Sequence, residues 1–445
     1  MPGHDTIYAL SSAPGRAGVA VLRVSGPRAG GALAALAGKV PRPREATLAR
    51  LKNGGGETLD RALVLWFPAP ASFTGEDVAE FHVHGGRAVV EGVLVALAAL
   101  GLRIAEPGEF TRRAVENGKF DLTGAEALID LIDAETEAQR RQALRQHEGA
   151  LAALYDGWRA RLLHALAWTE ATIDFSDEEL PEDAADRARA QAAEILKEIQ
   201  VHLDDAHRGE LVREGLFITV IGQPNSGKST LVNALARREV AIVSETAGTT
   251  RDVIEVRLDL GGYAVTLADT AGLREAAESV EAEGVRRALA RAEAADLVVL
   301  VLDGTAADPF AGIPDAARAK ASLTVWNKAD VGFPVAREGL AISARTGQGL
   351  PELIAVLTAL AKDRLSTASA APLLSRARHR EALQEAAAAL ARALDTPDTA
   401  TPELAAPELF SEDLRLALRA LGRITGRVDV EELLDVVFRD FCIGK

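Results

Sequence analysis

The chain has 445 residues, more than one ordinary core holds, and typical domain sizes predict about three domains. Its apolar runs, such as Leu297-Val298-Val299-Leu300-Val301-Leu302, are far short of the roughly 20 residues of a membrane-spanning helix. The net charge of −15 argues against a broad nucleic-acid-binding face, so any RNA contact must use a local patch. The first nine residues lack the basic start and apolar stretch of a signal peptide, and a cytoplasmic location is expected. The single cysteine, Cys442, excludes an intrachain disulfide. The tail Cys442-Ile443-Gly444-Lys445 is a poor lipidation signal, because Gly444 is not aliphatic and Lys445 is an unusual last residue. A lone cysteine is most often a small buried hydrophobe.

Residues 1–118 read as α+β. Runs 19–24 and 62–67 have strand character, and 88–100 reads as a helix packed on their sheet. From 119 to 210 the pattern is helical. Leu122, Ala125, Leu128, Ile129 and Ile132 recur at spacings of three and four, which places them on one helix face. Residues 211–365 alternate apolar strands with helical segments, predicting a parallel sheet with helices on both faces. After a small-residue linker at 366–371, the stretch to 445 is helical again. The expected arrangement packs this tail against the first helical segment, with the α/β region inserted between them.

The strongest chemical signal is Gly222-Gln223-Pro224-Asn225-Ser226-Gly227-Lys228-Ser229, a phosphate-binding loop between an apolar strand and a helical run. Its glycines let backbone N–H groups wrap phosphates at a helix N-terminus, beside Asn225, Ser226 and Thr230. Lys228 reaches the β- and γ-phosphates, and the Ser229 hydroxyl is placed for Mg²⁺. Asp269-Thr270-Ala271-Gly272 follows another strand; the acid suits water-mediated Mg²⁺ binding and the Gly272 N–H suits the γ-phosphate. Asn327-Lys328-Ala329-Asp330 follows a third strand. Asp330 can accept from guanine N1–H and the 2-amino group, which adenine lacks, and Ser343-Ala344-Arg345 has the character of a base-contacting loop. Within Gly248-Thr249-Thr250-Arg251-Asp252, Thr250 is the natural second hydroxyl for Mg²⁺. This ordered set predicts a GTPase domain near mid-chain.

Leu273 stands where a Ras-like enzyme has its water-orienting glutamine, so hydrolysis must use another group. Asn225 is a candidate ligand for a monovalent cation near the phosphates. Glu281 is either a water-positioning acid or a solvated surface acid. In the N-terminal region Arg23, Glu80 and Lys119 read on residue type alone as surface charges. His82 and His84 alternate on one strand face but are too few for a metal site. Arg140, Arg141 and Arg145 are either contacts to RNA phosphates or a solvated helix face.

The chain resembles the tRNA modification GTPase family MnmE (TrmE). The likeness rests on the phosphate loop, Gly248-Thr-Thr-Arg-Asp, Asp269-Thr-Ala-Gly-Leu-Arg and the terminal Phe441-Cys-Ile-Gly-Lys. It extends to Pro14-Gly-Arg-Ala-Gly, Leu22-Arg-Val-Ser-Gly, Ser72-Phe-Thr-Gly-Glu-Asp, His84-Gly-Gly and Glu106-Pro-Gly-Glu-Phe-Thr, and so spans nearly the whole chain. The resemblance implies a tetrahydrofolate-binding and dimerising α+β domain over 1–118, and a discontinuous helical domain over 119–210 and 366–445. A P-loop GTPase domain of Ras-like parallel-sheet type is inserted over 211–365.

It further implies a homodimer that forms a heterotetramer with an FAD- and NADH-dependent partner. Together they place aminomethyl or carboxymethylaminomethyl groups on carbon 5 of the wobble uridine of certain tRNAs. A tetrahydrofolate derivative (5-formyl or 5,10-methylene) is the one-carbon source, and K⁺ activates GTP hydrolysis. By resemblance Asn225, Ser244, Thr246 and Thr249 surround K⁺, Ser229 and Thr250 hold Mg²⁺, and Glu281 orients water. Arg23, Glu80, Lys119 and Lys445 contact folate, and Cys442 is tied to the modification step. The competing reading is a potassium-activated ribosome-assembly GTPase, which shares Leu273 but usually carries a basic RNA-binding appendage.

Overall fold

Alternation along the early strands sets one face of a sheet inward, as in Thr58–Phe67, where Ala62 and Val64 are buried while Arg61 and Leu63 face outward. The computed structural model describes residues 5–174, 181, 183–242, 255–269, 290, 292–332, 339–366, 372–395, 406–428, 437–438 and 444. Its contacts divide the chain into two compact units. One comprises Met1–Ile129, Gln146–Leu196 and Glu385–Lys445; the other comprises Asp130–Arg145 and Lys197–Gln384.

In the first unit, β1 (Ile7–Leu10), β2 (Ala17–Ser25), β3 (Thr47–Lys52), β4 (Thr58–Phe67), β5 (Val78–Gly85) and β6 (Arg103–Ile104) form a sheet of order β3-β4-β5-β2-β1-β6. Its pairings are antiparallel except β1 with β6. Helices α1 (Ala29–Ala37) and α2 (Arg87–Ala99) cover the buried face, where Val24, Leu33, Phe81, Val93 and Leu97 share a core. The two expected strands and the expected helix are thus present.

Helix α3 (Glu109–Glu116) carries a buried arginine, Arg113. Its guanidinium donates to Asp5 (2.7 Å), Glu109 (2.8 Å) and Glu76 (3.2 Å). Hydrogen bonding from Arg103, assisted by Arg113, holds the Asp5 carboxyl at about 2. Burial alone would raise Glu109, but bonds from Arg103, the Glu106 N–H and Arg113 hold it below its ordinary value.

The helices that follow are α4 (Leu122–Ile132), α5 (Glu137–His147), α6 (Ala150–Asp174), α7 (Ala184–Leu203) and α8 (Arg208–Glu214). On α4, Leu122 and Ala125 pack with Phe438, whereas Ile132, expected on the buried face, is 42% exposed. It is the last residue of the helix, and the apolar cluster ends at Ile129. Farther along the chain, α13 (Ala406–Thr425) lies on α6, tied by Arg415 to Glu170 at 2.6 Å. Near the chain end, the Gly444 carbonyl accepts from Ser11 Oγ at 2.8 Å.

In the second unit, β7 (Leu216–Ile221), β8 (Glu255–Leu260), β9 (Tyr263–Asp269), β10 (Leu297–Asp303), β11 (Leu323–Asn327) and β12 (Leu340–Ala341) form a sheet of order β12-β11-β10-β7-β9-β8. It is parallel apart from β8, which pairs antiparallel with β9. The departure from an all-parallel sheet follows from the two-residue Gly261-Gly262 turn, too short for a crossover. Both faces are buried, as crossover connections require. Val299 and Val301 enter one core with residues of α9 (Lys228–Ala236) and α11 (Leu350–Leu365). Val298, Leu300 and Leu302 enter another with Ala317 of α10 (Asp315–Ala319) and Trp326. Helix α12 (Ala377–Asp395) contributes Arg380, which bonds the Leu203 carbonyl, Asp205 and Glu210.

Two stability predictions follow. Replacing Arg113 by Leu takes one charged donor from the half-buried Glu76 and Glu109, which keep Ser25 and Arg103 as partners, and should cost about 1.5–3 kcal/mol in denaturant unfolding. A loss below about 1 kcal/mol would mean that water already serves these carboxylates. The second concerns His202, which burial, reinforced by Arg380 and His379 against the pull of Asp205, depresses to about 4 from 6.5. A depressed folded-state value gives stability that is complete above 6.5 and lost as pH falls towards 4. Melting scans across that window should show roughly 2 kcal/mol less loss in His202→Leu than in the unaltered chain. Parallel pH profiles would show that the imidazole is already solvated.

Candidate functional site

The loop after β7 lies at the C-terminal edge of the parallel sheet, where α/β proteins open a crevice for ligands. Two of its glycines are demanded by close approach. A Cβ on Gly222 would lie 2.1 Å from the Val301 carbonyl oxygen; one on Gly227, at φ 95°, would lie 2.1 Å from Asn327 Nδ2. Between them Asn225 takes a left-handed φ of 62° and is exposed.

Lys228 opens α9 and is buried, with Nζ donating to the carbonyls of Gly222 (3.0 Å) and Gln223 (2.7 Å). Its ammonium is therefore curled back over the loop that precedes it. Ser229 and Thr230 follow in the first turn of α9. The β9 backbone ends at Asp269, in register with Val220 beside the loop. Gln223, given no role by sequence reasoning, donates from Nε2 to the carbonyls of Asp308 (2.9 Å) and Ala311 (2.7 Å).

The second part of the site is built on the end of β11. Asn327 is buried; Nδ2 donates to the Ser226 carbonyl and Oδ1 accepts from the Ala344 N–H, both at 2.9 Å. One amide thus joins the phosphate loop to the Ser343-Ala344-Arg345 segment. Asp330 accepts at Oδ1 from Ser343 Oγ (2.6 Å) and at Oδ2 from exposed Arg345 (2.5 Å). The Ser343 bond, with help from Arg345, holds its carboxyl below the ordinary range and keeps it an ionised acceptor. Lys328, at φ 69°, pairs with Asp303, a residue that the motifs do not include.

These placements bring Asn225, Ser226, Gly227, Lys228 and Ser229 to the turn between β7 and α9, and Asn327, Lys328 and Asp330 to the end of β11, beside Ser343, Ala344 and Arg345, which follow β12. Ser244, Thr246, Thr249, Thr250, Thr270, Ala271, Gly272, Glu281, Cys442 and Lys445 lie outside the described residues, as does the Asp269 side chain.

The N-terminal candidates form a separate group. Arg23 on β2 and Glu80 on β5 are in register, and the guanidinium meets Glu80 Oε1 at 2.9 Å. His82 Nε2 lies 3.1 Å from Glu80 Oε2, and Arg23 Cζ lies 5.2 Å from the Phe73 ring centre. His82 could have been paired with Glu80 from strand alternation; Phe73 lies on a loop and gave no such signal. Lys119 is instead exposed, with Nζ on the Pro70 carbonyl at 2.9 Å. His84 bonds Asp60, and among the described residues no group of three His, Cys, Asp or Glu is placed to hold a metal. Of the basic run, Arg140 and Arg141 both pair with Glu137.

Comparison with known proteins matches residues 6–119 to the model of the GTP-binding protein TrmE N-terminus, and residues 122–442 to that of the MnmE helical domain. The tRNA modification GTPase MnmE of Parvibaculum lavamentivorans is 59% identical over 99% of this chain and 100% of its own length. The protein of the same name from Rhodospirillum rubrum is 55% identical, over 99% of each. Among solved structures, Era of Aquifex aeolicus bound to GDP and AlF4− is 24% identical over 39% of this chain and 66% of its own, at a TM-score of 0.26. The FeoB G domain of Methanococcus jannaschii is 25% identical over 33% of this chain and 98% of its own, also at 0.26. With two family models matched in sequence order and relatives aligned end to end, the chain belongs to the MnmE family of tRNA modification GTPases.

Proposed function

We propose that this GTP hydrolase is potassium-activated and works with an FAD- and NADH-dependent partner on tRNA. The product is an aminomethyl or carboxymethylaminomethyl group at carbon 5 of the wobble uridine. The observation that carries the nucleotide half is the meeting of Lys228, Asn327 and Asp330 at one edge of a parallel sheet. The family match over nearly the whole chain leaves the ribosome-assembly reading without support.

Lys228 is placed to meet the phosphates, and Asp330 to read guanine. The helix N-terminus at Gly227 points backbone N–H groups at the same place. Ser229, in the first turn of α9, fits a Mg²⁺ ion that takes few protein oxygens and keeps phosphate and water ligands. Asn225, exposed beside the phosphate loop, offers a side-chain carbonyl suited to K⁺, with Ser244, Thr246 and Thr249 as further ligands. Bound together, the two cations supply positive charge where the transition state gains negative charge. Thr250 completes the Mg²⁺ set, and Glu281 holds the attacking water in place of the glutamine replaced by Leu273.

The Arg23–Glu80–His82 group, with Lys119 and Lys445, is the reading's site for a 5-formyl or 5,10-methylene tetrahydrofolate. Arg23 and His82 offer donors and Glu80 an acceptor, which suits a pterin ring that carries both. Cys442 serves the modification step. The domain division at 118, 210 and 365, the homodimer, the heterotetramer with the partner and the cytoplasmic location belong to the same proposal. No helix of the described residues is long and apolar enough to cross a membrane.

GTP turnover in KCl should exceed that in NaCl at equal ionic strength by at least about tenfold, and Asn225→Ala should abolish the difference. Equal rates in the two salts would overturn the cation-completed site. For the folate half, Glu80→Gln should weaken 5-formyltetrahydrofolate binding by about tenfold in calorimetry while leaving GTP turnover intact. Unchanged affinity would remove Glu80 from the folate site.

A further inference from the structure

Asp303 is the last residue of β10 and stands in parallel register with Asn327, the last residue of β11. Both of its carboxylate oxygens are engaged. Oδ1 accepts from the Thr305 N–H (2.9 Å) and Thr305 Oγ (2.6 Å), while Oδ2 accepts from Lys328 Nζ (2.5 Å). The Gly304 N–H donates to the Asn327 carbonyl at 3.0 Å, so the two strand ends are also tied through their backbones. Burial would raise the Asp303 carboxyl, but the Lys328 ammonium and the Thr305 donors more than offset it and keep it ionised.

Lys328 has a four-carbon stem with considerable rotamer freedom. Its backbone is left-handed at φ 69°, between the pinned amide of Asn327 and the acceptor Asp330. Three anchors therefore act on four consecutive residues. The Ser226 carbonyl and Ala344 N–H fix Asn327, Asp303 fixes Lys328, and Ser343 with Arg345 fixes Asp330.

We propose that Asp303 is a positioning residue for guanine-nucleotide binding, acting through Lys328, whose ammonium it fixes before the nucleotide arrives. The entropy of ordering the lysine stem is then met in the free protein, and binding does not incur it again. The contribution is to affinity for the nucleotide and not to choice of base, because Lys328 pairs with Asp303 while the proposed acceptor for the guanine N1–H and amino group is Asp330. The inference rests on the guanine site proposed above.

The test is a double-mutant cycle on the full chain, with dissociation constants for GDP and for IDP, which lacks the 2-amino group. Asp303→Asn keeps the shape and removes the charge; it should weaken GDP and IDP alike by about tenfold. Lys328→Met should produce a loss of similar size, and adding Asp303→Asn to it should cost nothing further. Thr305→Val, which frees the carboxylate from its orienting hydroxyl, is the second variant and should shift both constants in the same direction by a smaller factor.

GDP binding by Asp303→Asn equal to that of the unaltered chain would overturn the proposal. So would losses that multiply in the double variant, or a changed GDP-to-IDP ratio, which would mark a general collapse of the base site. Failure of the unaltered chain to bind GDP would instead refute the guanine site itself, and this inference with it.

Discussion

The proposed nucleotide site is tied together by one side-chain amide. Asn327 sits at the end of β11, fully enclosed, and spends both ends of its amide on other segments. It draws the Ser226 carbonyl from one side and the Ala344 N–H from the other. This closeness is why residue 227 has no room for a side chain. Each bond alone contributes about 1 kcal/mol, but a buried amide with its partners removed costs more than the bonds gain. The phosphate loop and the Ser343–Arg345 segment are therefore tied to the same strand end.

That strand end is where it is because the sheet is parallel. In a parallel sheet all C-terminal ends lie on one edge, so loops far apart in sequence meet there. Residues near 222, 303 and 327 are brought together by the register of β7, β10 and β11, not by proximity along the chain. The core residues of β10 alternate between two clusters, which locks that register on both faces. The first unit uses a different device. There Arg113 links Asp5, Glu76 and Glu109, joining the chain start, a loop and a helix through charge.

The sequence was legible where chemistry is local. The phosphate loop, the Asn327–Asp330 motif and the strands ahead of them are contiguous, and their spacing carries the geometry. Gln223, Asp303 and Arg113 were not legible, because each has a partner far along the chain, at 85, 25 and 108 positions. An acid after an apolar strand or an arginine in a short helix has the same residue type whether solvated or anchored. Ile132 shows the converse error: its spacing matches the buried face, but the helix ends there and the core has already stopped at Ile129. Periodicity predicts a direction around a helix; it does not say how far the neighbouring surface extends. The edge strand β8 was likewise hidden, because alternating composition does not reveal that a two-glycine turn reverses the chain.

The geometry around Asp330 bears on its proposed part in guanine recognition. Both carboxylate oxygens already have a donor, which at first sight closes the site. A carboxylate, however, offers about four lone-pair positions, and two donors leave two for the N1–H and amino groups of a base. The Ser343 hydroxyl is buried and approaches Oδ1 as a fixed support, turning the carboxylate to one orientation. Arg345 is exposed, so its ion pair is screened by water and is weak, and in the proposed site it can yield to a base. Asp330 is thus kept ionised and aimed by a partner that stays, and capped by one that can leave.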